Sequence, residues 1–194
     1  MKHSSTRELH AYWNERRGAR AAPERGDIEP GAIRKALGDT FILASDPTRG
    51  HAFRLAGTRV CALFGRELRG ESFAALWDRS GRAAVRELLA VVAGEATGIV
   101  AGASGRTAEG FTADLELVLL PLTHRGQSHT RMIGSLAPLT APVWLGARRL
   151  EWITLGHLRH LAPSLDGAGA PRFVAAPGRI EPRSGLVVYP GGRA

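Results

Sequence analysis

In the middle of the chain, the spacing of the apolar residues changes from that of a helix to that of a strand. The helical part predicts a helix over residues 81–93, ended by Gly94, from four residues at i, i+3, i+4 and i+7: Val85, Leu88, Leu89 and Val92. The strand part follows, with three leucines that alternate with two acids: Leu115, Leu117, Leu119, Asp114 and Glu116. The fold must therefore combine helices with strands that expose one face.

Two short apolar segments before this point predict a β-hairpin. Residues 40–44 and 51–56 have strand composition, and the segment between them is rich in turn-forming residues. Alternation in the second strand puts Phe53 and Leu55 on one face, which we expect to be buried.

Three further strands are predicted over residues 96–103, 111–120 and 130–138. Pro121 indicates that the middle one ends there or lies at a sheet edge. Helices placed between a hairpin and a three-stranded meander are most simply laid on one face of the sheet. We therefore predict an α+β fold with an antiparallel sheet. Residues 146–162 fit either a helix or a strand.

The N-terminal segment predicts a helix that precedes the sheet. Ser5 to Glu8 match the capping-box pattern, and Leu9, Tyr12 and Trp13 share one helix face. This face fits packing on the chain's own core, but aromatic residues are also enriched in protein interfaces. We therefore also carry Leu9, Tyr12 and Trp13 as a candidate interface.

Short helices are predicted between the hairpin and the central helix. Val60, Leu63 and Phe64 have helical spacing and are followed by Gly65, which suits a helix end. Ser72 is predicted to start another helical turn, which carries three large apolar residues: Phe73, Leu76 and Trp77.

Length and composition limit the class of protein. A chain of 194 residues with 44% hydrophobic and 23% charged residues fits one globular domain rather than a disordered protein. No apolar run approaches the ~20 residues of a membrane span, and the first residues do not form a secretory signal. We expect a cytoplasmic protein without an internal disulfide, because Cys61 is its single cysteine.

The formal net charge of +8 permits an interaction with anions, including nucleic acids. The basic residues are scattered along the chain among acids, which favours a solvated surface over a nucleic-acid footprint. A nucleic-acid-binding regulatory protein is therefore kept as the alternative function.

No set of residues in the sequence forms a catalytic or metal site by its spacing. The serines lack the Gly-x-Ser-x-Gly context of a nucleophile, and no base can be paired with them. His157 and His160 could share a helix face near Glu151, but two histidines are a weak metal signal. We expect no enzyme activity and no metal, and Cys61 is interpreted as a buried apolar residue.

The order of these elements, together with several short motifs, resembles a PAS domain, and more particularly a bacterial family of small stand-alone PAS-like proteins known chiefly from alphaproteobacteria. The resemblance spans roughly residues 8–146 and is carried by the following segments: Tyr12-Trp13, Asp27-Ile28-Glu29-Pro30, Phe53 to Thr58, Leu63 to Gly70, Trp77, Leu119 to Leu122, and Ile133 to Leu136.

The resemblance implies a five-stranded antiparallel sheet with short helices across one face and a cleft between them, where PAS domains hold cofactors or metabolites. It also implies sensing, protein–protein regulation and dimerisation through the sheet or the flanking helix. Cys61 lies outside the reactive-cysteine motif of flavin-binding members, and the helix over 81–93 lacks the histidine of haem-binding ones. The cofactor is therefore left open.

On this basis we expect a sensory or adaptor protein that forms a homodimer, acts through a protein partner and has a candidate small-molecule pocket. The predicted pocket lining is Phe53, Leu55, Phe64, Phe73, Trp77, Leu117 and Ile133. The predicted organisation is a flanking helix and loop (1–26), a PAS-like domain (27–162) and a flexible tail rich in Gly, Pro and Ala (163–194).

Overall fold

The structure is a computed structural model that describes residues 1–46, 48–124 and 127–161. The predicted tail, residues 163–194, lies outside the described residues, and the three domain boundaries remain predictions. The helices are α1 (Ser4–Arg17), α2 (Thr58–Phe64) and α3 (Arg82–Glu95), with 3-10 turns at Arg25–Asp27, Pro30–Ile33, Leu37–Asp39 and Phe73–Leu76. The strands are β1 (Thr40–Asp46), β2 (Gly50–Ala56), β3 (Gly98–Arg106), β4 (Thr112–His124), β5 (Gln127–Pro138) and β6 (Trp152–Leu161).

The described strands form one antiparallel sheet in the order β2-β1-β5-β4-β3-β6. The predicted α+β fold with its hairpin and meander is confirmed. The sheet gains a sixth strand, because residues 152–161, within the segment that fitted either a helix or a strand, pair with β3. Pro121 does not end β4, which continues to His124. The last residue pair between β3 and β4 is Ile99 with Leu119, and Pro121 lies beyond it. The missing N–H of Pro121 therefore removes no hydrogen bond between these two strands.

Both faces of the sheet are covered by helices. On the inner face, α2, α3 and the turn Phe73–Leu76 pack on the sheet, and on the outer face α1 and the three 3-10 turns before β1 do so. Strand β4 shows the consequence: over residues 115–122, alternate residues enter the two layers, and every residue of this stretch is buried, although Asp114 before it is exposed. Leu115, Leu117 and Leu119 face the inner layer, and Val118, Leu120 and Leu122 face the outer layer. The prediction of a half-exposed strand is wrong for this reason.

A β-bulge in the first hairpin divides two residues that alternation had placed together. Ile42 is opposite Leu55, whereas the next residue, Leu43, is opposite Phe53, so β2 has one extra residue there. Phe53 therefore enters the inner layer, whereas Leu55 lies opposite an outer-face residue and is 43% exposed. The expectation that the two side chains share a buried face is wrong.

The helix ends differ from their predicted positions in two places. The N-cap of α1 is His3, whose Nδ1 accepts the Ser5 N–H at 3.2 Å, so the capping box predicted from Ser5 to Glu8 is wrong. Helix α3 continues past Gly94 to Glu95, and Ala96 follows in the left-handed conformation with φ 53°. Gly65 does end α2 in that conformation (φ 62°), as predicted.

Candidate functional site

The inner layer of helices and sheet encloses an aromatic cluster. Phe41 lies in β1, Phe53 in β2, Phe73 in the 3-10 turn and Trp77 directly after that turn. The ring centroids of Phe41 and Phe53 are 5.6 Å apart, those of Phe41 and Phe73 5.5 Å, and those of Phe73 and Trp77 5.7 Å. These distances are those of aromatic rings in direct contact, so the cluster is a well-packed part of the core.

The structure brings five of the seven predicted pocket residues into this inner layer, each at most 1% exposed: Phe53, Phe64, Phe73, Trp77 and Leu117. The other two are placed elsewhere, which corrects the predicted lining. The bulge turns Leu55 away from this layer. Ile133 pairs with Ile42 and lies with it in the outer layer, because its neighbour Met132 takes the inner side of β5.

Trp77 carries the one polar group of this aromatic cluster, its indole N–H. The residue is fully buried, and Nε1 has no hydrogen-bond partner among the described residues. The main chain on either side is fixed: Trp77 N bonds to Ala74 O at 3.3 Å, and Asp78 N bonds to Ile153 O of β6 at 3.0 Å. An unpaired buried donor costs roughly 1–3 kcal/mol, so this N–H is a point where an acceptor atom would bind favourably.

A second set of polar residues lies beneath the start of α1, on the outer face. The Glu116 carboxylate in β4 accepts the backbone N–H groups of Lys2 and His3 at 2.7 and 2.8 Å. Only 6% of Glu116 is exposed, although its alternation with leucines predicted an exposed acid. The uninterrupted apolar run from Leu117 to Leu122 was the available signal, since it indicates a strand that is buried on both faces.

The pKa of Glu116 lies below the ordinary glutamate value. Burial by itself raises this pKa, but the two backbone N–H groups and the Thr6 hydroxyl favour the charged form and together outweigh burial. The ionised carboxylate is therefore the form that holds the start of α1 to the sheet.

The Asp39 carboxylate connects α1, which packs on the outer face of the sheet, to α2, which packs on the inner face. Its carboxylate accepts the Ser5 hydroxyl at 2.6 Å. It also receives a two-point contact from Arg59 of α2, with Nε–Oδ1 at 2.7 Å and Nη2–Oδ2 at 2.8 Å. Asp39 is 2% exposed, so the ion pair has one buried partner. Sequence reasoning missed this pair, because its members lie 20 residues apart in different elements.

The candidate interface residues of α1 are buried against the chain's own sheet. Leu9, Tyr12 and Trp13 all belong to the outer layer, which confirms that they share one helix face. The Trp13 indole donates to Pro121 O at 2.8 Å, and the Tyr12 hydroxyl donates to Asp27 O at 3.1 Å. A contact between two subunits through this face requires α1 to leave its own sheet, and that contact remains a prediction.

The residues weighed for metal or thiol chemistry do not form a common site in the part of the chain that the structure describes. His157 and His160 are exposed in β6 and not on a helix, and no group of three metal-ligating side chains occurs among the described residues. Cys61 packs against the inner core, and burial, followed by the nearby Glu67 charge, raises the pKa of its thiol. Within the part of the chain that the structure describes, no helix combines the length and apolar character that crossing a membrane requires.

Comparison with known families gives one match, described as a PAS domain, over residues 1–137. No curated protein matches the chain. Three solved structures illustrate the fold matches. A light-oxygen-voltage domain studied with a flavin analogue is 15% identical, with a TM-score of 0.46 over 60% of this chain and 87% of its own. The LOV protein of Rhodobacter sphaeroides is 15% identical, with a TM-score of 0.44 over 60% and 71%. A PAS domain from Colwellia psychrerythraea is 12% identical, with a TM-score of 0.40 over 57% and 97%.

Proposed function

Because the chain belongs to the PAS domain family, we propose that it is a sensory or adaptor protein: a small molecule binds between the inner helices and the sheet, and the response passes on through protein contacts. PAS domains are typically sensory and not catalytic, so the proposal includes no enzyme activity. A homodimer is the proposed assembly.

The observation that carries the small-molecule part is the indole N–H of Trp77, which is buried and has no hydrogen-bond partner in the described part of the chain. It lies inside the aromatic cluster, where a ligand would have apolar contacts on several sides and one directional hydrogen bond. The ligand class that fits is a largely apolar molecule with one acceptor atom, such as a carbonyl or ring nitrogen. Because the rings are in contact, such a ligand would have to separate Phe73 or Trp77 from its neighbours on binding.

The connections between the layers support the signalling part. Helix α2 packs on the inner core and holds Asp39 through Arg59, and Asp39 in turn holds Ser5 of α1. A displacement of α2 caused by a ligand would therefore act directly on the attachment of α1. Release of α1 would expose the apolar face of Leu9, Tyr12 and Trp13 to a second copy or a partner protein.

Native mass spectrometry and an absorbance spectrum of the purified full chain test the small-molecule part. We expect a retained mass above that of the polypeptide, and we expect Trp77→Phe to lower its occupancy by about tenfold through loss of one hydrogen bond. Trp152→Phe, at an indole that is 40% exposed, is the matched control and should keep the ligand. A colourless protein with no additional mass, both as purified and after incubation with a metabolite extract, would overturn this part.

A further inference from the structure

A groove on the surface lies apart from the aromatic cluster, between the β1–β2 turn and the segment that joins α2 to the next 3-10 turn. The groove is open to solvent, and its volume is about 520 Å³. It is lined by Arg49, Arg69, Gly70, Glu71, Ser72 and Ala75. Two arginines at one groove point to an anion as the ligand.

Arg49 is held in place by its neighbours on three sides. Asp46 Oδ1 accepts the Arg49 backbone N–H at 2.9 Å, Ser72 Oγ donates to Arg49 O at 2.8 Å, and Arg49 Nη1 donates to Gly70 O at 3.0 Å. A guanidinium has five N–H donors, and one of them is used in this set. The side chain is therefore positioned, and most of its donors have no partner among residues 1–46, 48–124 and 127–161.

Arg69 supplies the second charge. Its side chain has no hydrogen bond or ion pair among the described residues, and its backbone N–H is bound by Glu67 Oε1 at 3.2 Å. The same Glu67 oxygen also accepts the Leu68 N–H at 3.1 Å, so this carboxylate is directed to the main chain.

The remaining charge at the groove, Glu71, is already neutralised. Arg66 contacts it in a two-point arrangement, with Nε–Oε1 and Nη2–Oε2 both at 3.0 Å. The Arg66–Glu71 pair contributes no net charge, so Arg49 and Arg69 supply the positive charges of the lining. The Asp46 and Glu67 carboxylates, which are outside the lining, bind the backbone N–H groups of these two arginines. An anion that accepts hydrogen bonds from both guanidinium groups matches this lining.

We propose that the groove of Arg49 and Arg69 binds the phosphate group of a phosphate monoester or diphosphate. The guanidinium groups contact the phosphate oxygens, because their planar donors match phosphate geometry. This site is separate from the one proposed at Trp77, and neither depends on the other.

Titration of the full-length protein with inorganic diphosphate, followed by amide NMR, tests the proposal. We expect saturable shifts at Gly70 and Ser72, and an affinity about tenfold weaker in Arg69→Gln. Arg86→Gln is the matched control, because Arg86 is an exposed arginine of α3 outside the groove. Ala75→Glu is a second variant, which adds a negative charge to the exposed groove wall and should also weaken binding.

Two results would overturn the proposal: no saturable response, or an equal loss of affinity in Arg69→Gln and Arg86→Gln, which would indicate general attraction to a basic surface. Two further probes distinguish the sources of the phosphate. Binding of glycerol 3-phosphate that depends on Arg69 indicates a soluble ligand, and Arg69-dependent retention on vesicles with phosphatidic acid indicates a lipid headgroup. Binding to both probes that is unchanged in Arg69→Gln would also contradict the site.

Discussion

Glu116 places a carboxylate in the outer layer of the sheet, where two backbone N–H groups replace the water it would otherwise bind. A buried acceptor of this kind stabilises the fold only while it is ionised, because its partners are donors. Trp77 is the opposite case, a buried donor without an acceptor in the described residues. The first residue stabilises the attachment of α1, and the second is the group on which the proposed small-molecule site depends.

Replacement of Glu116 by Gln should lower the free energy of unfolding at pH 7 by about 1–3 kcal/mol, since an amide cannot accept both N–H groups as the carboxylate does. Asp114→Asn, at the exposed acid of the same strand, is the control and should change stability by less than about 0.5 kcal/mol. Chemical denaturation of the two variants and the parent protein measures the effect. Equal effects would contradict the role of Glu116.

The same residue predicts a pH dependence. Because the folded-state pKa of Glu116 is lowered, its contribution is present above the unfolded-state pKa, about 4.3, and is lost as the pH falls through the folded-state value. The stability difference between the parent protein and Glu116→Gln should therefore shrink below about pH 4.3 and stay constant at neutral pH. A difference that grows on acidification would refute this assignment.

At the scale of the element, helix α3 ends in a way that its sequence does not favour. Gly94 lies inside the helix with open space around its Cβ position, whereas Ala96 takes the left-handed conformation that glycine adopts without strain. Alanine would suit position 94, inside the helix, and glycine would suit position 96, directly after its end. The chain has these two residue types the other way round.

Gly94→Ala and Ala96→Gly should each raise the free energy of unfolding by about 0.5–1 kcal/mol, the first through helix propensity and the second through relief of the positive φ. Thermal and chemical denaturation of each variant measures this. Gly65→Ala, directly after α2, is the control. It should lower the free energy of unfolding, because Gly65 has a positive φ that alanine adopts only with strain. Destabilisation by Ala96→Gly would show that the lost Cβ contacts outweigh the strain.

Helix α1 is the element on which the proposed dimer depends. If α1 is exchanged between two copies, Trp13→Ala should weaken association more than Trp77→Ala, since Trp13 holds α1 to a sheet and Trp77 lies in the inner layer. Light scattering over a range of protein concentrations measures association. Both variants are expected to lose stability, by roughly 3–5 kcal/mol for a buried tryptophan, so association is compared at equal folded fractions. Equal weakening of association would rule out α1 as the interface.

For the molecule as a whole, the formal net charge of +8 raises the question of nucleic-acid binding. Several arginines are paired with acids, including Arg20 with Asp27, Arg66 with Glu71 and Arg148 with Glu109. This pairing weakens the positive potential that a phosphate backbone would meet.

We therefore expect the full-length protein to show no retention of duplex or single-stranded nucleic acid at about 50 mM salt, where phosphate contacts are strongest. An electrophoretic mobility shift assay measures retention. The assay is repeated at stepwise higher salt concentrations, so that any retention can be tested for salt dependence. Retention that weakens steeply with added salt would instead favour the alternative function in nucleic-acid binding.

Local sequence patterns were sufficient to predict most helices and strands, because such patterns depend only on neighbours in the chain. Examples are the glycine that ends α2 and the helical spacing of four residues in α3: Val85, Leu88, Leu89 and Val92. The pocket lining came from the resemblance to PAS domains, and five of its residues lie in one layer. Local patterns also placed Leu9, Tyr12 and Trp13 on one helix face. These features follow from the periodicity of a helix or strand and from the residue types that occupy each position.

The features that the sequence patterns missed depend on contacts between residues far apart in the chain. The bulge that separates Phe53 from Leu55 is set by the pairing of β2 with β1, and the burial of Glu116 by the arrival of α1 on the outer face. The sixth strand likewise forms because β3 offers residues 152–161 a partner. A strand's own sequence fixes which residues alternate, but register and the layers packed above and below determine which face is buried.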